Sequence, residues 1–225
     1  QIESTFVDRL KGSLSMGYNF TKASDVAQGN IAFSSTHRTE IRSFTFQGSG
    51  ISSSTADGTP SRRADTSFDM TRFRRDRWYN TYQLGLEQND ELGLDLRTSL
   101  EASVGRYLVQ TNTSELGALA GLVATNELWQ GDAKSQQNME VLLGIDYSRY
   151  IYNDPKLDLT ASLYAYPSIT ESGRFRGQLD LALKWEVYKD LFWNLSYYNT
   201  YDSDPSSGSE STDDYGVVTS VGWSF

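Results

Sequence analysis

Read in steps of two, the stretch from Tyr215 to Phe225 separates into two unlike faces. Tyr215, Val217, Thr219, Val221, Trp223 and Phe225 form a mostly apolar one, and Gly216, Val218, Ser220, Gly222 and Ser224 form a small, mostly polar one. Successive side chains of a strand point to opposite sides, so this is a ribbon greasy on one side only. The same period returns upstream. Phe175, Gly177, Leu179, Leu181, Leu183, Trp185 and Val187 alternate with Arg174, Arg176, Gln178, Asp180, Ala182, Lys184 and Glu186. Leu191, Trp193, Leu195, Tyr197 and Tyr201 alternate with Asn194, Ser196, Tyr198 and Thr200. With turn-forming stretches as punctuation, the pattern predicts strands near 9–21, 25–37, 40–51, 64–74, 77–87, 93–109, 114–127, 137–151, 156–169, 174–188, 191–202 and 214–225. Segment seven is ambiguous. Leu116, Ala118, Ala120, Leu122 and Ala124 face one way while Leu119 and Val123 face the other, so its phase is open to reversal or to a shift by a bulge.

A soluble sandwich alternates too, so alternation alone does not choose between sandwich and membrane barrel. The connections discriminate better. If Phe225 ends in the periplasm, the outer connections include 52–63, 128–136 and 202–213. The inner ones include His37-Arg-Thr-Glu40, Arg74-Arg-Asp-Arg77, the longer turn around Thr111-Asn-Thr113, Asn153-Asp-Pro155 and Lys189-Asp190. Long outside and short inside, with an even strand number, is the rule for outer-membrane barrels. An arginine on the lipid face costs about 2–4 kcal/mol at mid-bilayer and about 0–1 near the interface. The outward-phase exceptions Arg72, Arg106 and Arg149 all fall near the periplasmic ends of their strands, within reach of headgroups. Trp78, Trp185, Trp193 and Trp223 fall at that level, and with Phe225 they predict one aromatic belt. The expected fold is therefore all-β: a single transmembrane antiparallel barrel over 1–225, of twelve strands, with both termini periplasmic.

Composition adjusts this reading without reversing it. Mean hydropathy is −0.52 and no run approaches 18 apolar residues, so a transmembrane helix is excluded. A barrel shows lipid only every second residue, so low hydropathy does not count against it. Tyrosine and phenylalanine are abundant (14 and 10) and proline is rare (4), as strands prefer. The absence of cysteine rules out disulfide scaffolds, zinc-thiolate sites and thiol nucleophiles. A net charge of −9 argues against a nucleic-acid partner. No signal peptide is visible at Gln1, so an exported protein would have lost its leader.

Chemistry gathers on the inward phase. Lys11, Asp65, Asp69, Glu87, Asp95, Arg97, Glu101, Glu140, Asp146, Asp158, Arg174, Arg176, Asp180, Lys184 and Glu186 all fall there. They either pair across a filled interior or line an aqueous path and set its selectivity. The first and last strands present small residues instead: Ser13, Ser15 and Gly17 beside Gly216, Ser220, Gly222 and Ser224. A path along that small-residue seam, bounded by Glu87, Arg97, Glu101, Asp146, Asp180 and Lys184, is the expectation for a channel. Catalysis has little support. The sole histidine, His37, falls at a predicted periplasmic turn, far from any mid-membrane serine, and no nucleophile elbow occurs. The acidic loops Asp202-Ser-Asp204 and Glu210 to Asp214 lack the ordered spacing of an EF-hand, so no metal or cofactor is expected.

Several short stretches, in order, carry a family resemblance. They are Gly12-Ser-Leu-Ser-Met-Gly17-Tyr18, Glu87-Gln-Asn-Asp-Glu-Leu with Leu96-Arg97, Gly105-Arg-Tyr107, Tyr166-Pro167-Ser168, Tyr201-Asp-Ser-Asp-Pro205 and Asp213-Asp214 before the final strand. Together they resemble the YdiY-like family of salt-induced outer-membrane proteins. The resemblance implies a Gram-negative outer-membrane barrel connected with salt or osmotic stress, and brings no catalytic residues. The polar loops 52–63 and 203–212 depart from it. The expected function is a narrow porin-like channel or stress-related barrel. Its rival is a structural or adhesive protein with a closed, salt-bridged lumen that acts through its outer loops. Expected partners are outer-membrane lipid or lipopolysaccharide and, through the last strand, the barrel-assembly machinery; a monomer is expected.

Overall fold

The computed structural model describes residues 10–21, 26–54, 60–131, 135–153, 155–205 and 212–225. Their alternation folds into strands β1 (Leu10–Thr21), β2 (Val26–Arg38), β3 (Arg42–Ser54), β4 (Ser61–Phe73), β5 (Trp78–Asn89), β6 (Leu94–Gln110), β7 (Ser114–Trp129), β8 (Gln136–Ile151), β9 (Leu157–Pro167), β10 (Phe175–Tyr188), β11 (Leu191–Asp202) and β12 (Asp213–Ser224). Each pairs antiparallel with its neighbours in sequence, and β1 meets β12 to close the barrel. The fold is all-β, a transmembrane antiparallel barrel of twelve strands. Closure is the physical solution for strands in hydrocarbon, where every backbone polar group must find an internal partner.

Every strand reaches the roughly 9–11 residues that a tilted crossing needs. The outward face is apolar and open: Leu100 is 61% exposed, Leu143 50% and Val217 61%. Inside lie hydroxyls, amides, carboxylates and guanidinium groups, so the polarity of a soluble protein is inverted. Turns at the end bearing Leu10 and Phe225 are tight. Lys189-Asp190 joins β10 to β11 in two residues, with Asp190 at φ 62°, a left-handed conformation that aspartate tolerates.

The expected strands all form, with differences at their ends. β3 and β4 extend to Ser54 and from Ser61, so much of the loop expected at 52–63 is strand, while 55–59 lie outside the described residues. β7 continues to Trp129, two residues beyond the end at 127 that the alternation predicts. Its phase is not reversed: Leu122 is half exposed on the outer side and Val123 is turned inward at 2%. The irregularities opposite it belong to β6, where the pairing with β7 slips between Leu94 and Leu96 and again between Tyr107 and Val109. The first slip corrects one placement. Alternation puts Asp95 inside, but the extra residue turns Asp95 outward and buries Leu94 completely.

Candidate functional site

At the mouth opposite the termini, the ends of distant strands are tied together by charge. Arg97 of β6 donates from Nε to Glu127 of β7 (2.6 Å) and from Nη1 to Glu87 of β5 (2.9 Å). Its Nη2 reaches Asp202 of β11 (3.4 Å). Arg174, just before β10, forks onto Asp202 (3.1 and 2.7 Å) and also meets Glu127 (2.8 Å) and Glu171 (2.7 Å). Both guanidinium groups lie over the Trp129 ring, at 5.9 and 5.4 Å. Glu127 and Asp202 are sealed from solvent, so neither charge survives there without these partners. Burial works against the Arg174 charge, yet hydrogen bonds to Asp202 and Glu127 outweigh it and raise its pKa above the ordinary arginine value. Arg176 grips Glu140 of β8 in a second two-point contact (2.7 and 2.5 Å). Arg63 of β4 spans to Asp214 of β12 (3.0 Å), which also accepts from Asn89 (2.8 Å). Leu92 and Leu94 are wholly buried beside this lattice, a small apolar core inside a polar barrel.

Below the lattice the lumen opens into a chamber of about 930 Å³. Its carboxylates are served by neutral donors. Ser49 donates to Asp65 (2.6 Å), Ser67 and Gln83 to Asp69 (2.8 and 2.6 Å), Ser162 and Tyr164 to Asp146 (2.8 and 2.6 Å), and Gln178 to Asp180 (2.6 Å). Among the described residues, neither these four nor Glu101 has an arginine or lysine within ion-pair distance. The lysine of the chamber, Lys184, instead donates to Ser224 (2.9 Å) with its ammonium 4.0 Å from the centre of the Phe192 ring. The arginines have been spent at the mouth. Arg63, Arg97 and Arg176 border the chamber only from its mouth end, and what lines its middle beside Lys184 is a set of carboxylates held by neutral donors.

The small-residue seam is not the vacant groove the sequence suggested. Phe192 lies so close over Gly222 that any β-carbon there would strike it, and Tyr198 covers Gly216 in the same way. Ser15 and Ser220 are buried at 8% and 4% exposure. Small residues here make room for rings from β11, a role their size alone does not announce.

The model of a family described as "Protein of unknown function, DUF481" matches residues 14–222. The chain belongs to this family. It is the YdiY-like family that the sequence resembles. A comparison with curated proteins finds no match. Among solved structures, the chain is similar to the KdgM porin at 11% identity, covering 96% of this chain and 99% of that one with a TM-score of 0.47. It is also similar to the β domain of the Bordetella autotransporter BrkA at 9% identity, covering 96% and 98% with a TM-score of 0.46.

In this member of the family, the residues singled out from sequence divide between two places. Glu87 and Arg97 belong to the mouth lattice, while Glu101, Asp146, Asp180, Lys184 and Ser220 line the chamber. Gly222 lies beneath Phe192. Trp78, Trp185, Trp223 and Phe225 stand exposed on the outer face toward the terminus-bearing end, and Trp193 pairs with Trp185 at the same level. Arg106 lies 5.6 Å from the Trp78 ring, joining a lipid-face cation to that aromatic group. His37 lies near the end of β2, one residue from the turn. Sequence reasoning missed Glu127, Trp129 and Asp202. For the first two the signal was available, since carrying the β7 alternation from Val123 through Thr125 puts Glu127 and Trp129 inside.

Proposed function

We propose that this protein is a narrow, cation-preferring porin-like channel of the bacterial outer membrane, with its termini in the periplasm and its outer mouth constricted by the arginine–carboxylate lattice. One observation carries the reading: among the described residues, the chamber carboxylates Asp65, Asp69, Glu101, Asp146 and Asp180 have no cationic side chain within ion-pair distance. Negative charge lining a low-dielectric conduit concentrates cations and repels anions. The apolar outward face supports residence in hydrocarbon, and the aromatic group near the termini supports anchoring at the periplasmic interface. A conduit for small cations accords with the salt-stress role that the resemblance implies. Outer-membrane lipid surrounds the barrel, the last strand serves as the handle for the assembly machinery, and the protein acts as a monomer.

Planar-bilayer recording tests this. Across a potassium chloride gradient the reversal potential should show cation preference, and Glu101→Gln with Asp146→Asn should move it toward zero. Chloride preference would overturn the reading. So would silence in both the parent and a lattice-opened Asp202→Asn variant. A second reading draws on the lattice itself: buried pairs crossing the mouth suit a closed scaffold that works through its outer loops. That double silence is its expected result.

A further inference from the structure

The barrel wall is incomplete where its first and last strands meet. The β1–β12 ladder runs from the reciprocal bonds of Gly12 and Phe225 (2.8 and 2.9 Å) through Ser13–Ser224, Leu14–Trp223 and Ser15–Gly222 to Met16–Val221, and there it stops. β1 continues to pair with β2 as far as Thr21–Val26, and β12 with β11 as far as Asp213–Tyr201. Among the described residues, the facing edges beyond Met16 and Val221 form no ladder with each other. Gly17 comes up against the Thr219 carbonyl instead of pairing with Ser220. In hydrocarbon, strand edges left unpaired must have their N–H and C=O groups solvated by something polar.

A cavity of about 380 Å³ runs along the β12 edge of this half, from Asp213 to Val217, and its lining has two natures. Tyr215 and Val217 come from the lipid-facing side of β12, exposed at 66% and 61%. Gln28, Ile51, Arg63 and Tyr198 come from the inward faces of β2, β3, β4 and β11. A sealed wall separates such residues. Here one space touches both.

We propose that this seam is a lateral port joining the lumen to the surrounding leaflet, and that it takes an amphiphile. The hydrocarbon tail lies toward Tyr215 and Val217. A head rich in hydroxyl or ammonium donors lies toward Gln28, Ser53 and Tyr198, where the carboxylates Glu91, Asp213 and Asp214 outnumber the one cation, Arg63. The port goes beyond water-filled conduction and does not depend on it. A barrel that passes no ions can still admit a lipid sideways.

Photocrosslinking in phospholipid vesicles tests it. Tyr198, Tyr164 and Tyr215 are each replaced by p-benzoylphenylalanine. The lipid-facing Tyr215 position should give phospholipid adducts, as should the inward Tyr198 position at the seam. The equally inward Tyr164 position on β9 should give none. Val218 supplies a second inward position on β12 should the Tyr198 variant fail to insert. Cysteines at Tyr18→Cys and Thr219→Cys, which continuation of the register would bring opposite each other, should on oxidation abolish the Tyr198 adduct and spare that at Tyr215. Adducts at Tyr215 but at neither Tyr198 nor Val218 would overturn the port. Equal labelling at Tyr164 and Tyr198, or labelling at Tyr198 that survives the disulfide, would overturn it as well.

Discussion

Arg174 and Asp202 meet in a two-point fork, Nε to Oδ1 at 3.1 Å and Nη2 to Oδ2 at 2.7 Å, with both side chains at 2% exposure or less. The pair joins the start of β10 to the end of β11, and Asp202 also receives Arg97 from across the mouth. Removing one partner of such a pair leaves the other charge buried alone, at a cost of about 3–5 kcal/mol. Asp202→Ala should therefore lower the stability of the folded barrel by that order in urea unfolding from lipid vesicles. The surface pair Lys156–Glu186, with the lysine side chain 56% exposed, is the control. Lys156→Ala should leave the unfolding midpoint where it was.

Two close approaches of glycine predict opposite rescue behaviour. A β-carbon on Gly105 would strike the side chain of Tyr79 first, whereas one on Gly222 would strike the Leu14 carbonyl as well as Phe192. Gly105→Ala should destabilise the barrel and be largely restored by Tyr79→Ala. Gly222→Ala should stay destabilised when Phe192→Ala is added, because a neighbouring backbone cannot be trimmed. Heat-modifiable migration on electrophoresis reads both double-mutant pairs.

Depth along β6 predicts a gradient of cost for arginine. Leu100 lies mid-strand on the lipid face, opposite Leu84 and Ala124, and Leu108 lies near the terminus-bearing end. Leu100→Arg should cost about 2–4 kcal/mol and Leu108→Arg about 0–1 kcal/mol, measured as above. Equal costs would remove hydrocarbon from the description of this surface.

Relief of the ring over the seam should be visible electrically. Phe192 packs over Gly222 and under the Lys184 ammonium. Phe192→Ala should widen the passage beside Lys184 and raise single-channel conductance, while weakening the cation preference as the lysine loses its cover.

How far the sequence could be read follows from the range of each interaction. Strand positions and faces depend on local alternation, and those were legible from Leu10 to Phe225. The β6 slip at Asp95 was not, because a bulge depends on the partner strand as much as on the residue. Arg97, Arg174, Arg176 and Glu140 read as inward, but which charges pair did not, since Arg97 and Asp202 come from opposite walls. Asp202 itself read as the start of a loop. The seam showed as a run of small residues, but the rings of Phe192 and Tyr198 that fill it belong to the neighbouring strand.

Every ladder but one joins strands adjacent in the chain. Hairpins of that kind form locally and rapidly, so nearly all of the wall can accrue by stepwise zippering. The remaining ladder must bring together residues that lie far apart along the chain, and it bears the loop-closure entropy of the whole molecule on a handful of bonds between Gly12–Met16 and Val221–Phe225. That stretch is therefore the natural rate-limiting latch of assembly, and the first joint to part when the barrel is pulled open.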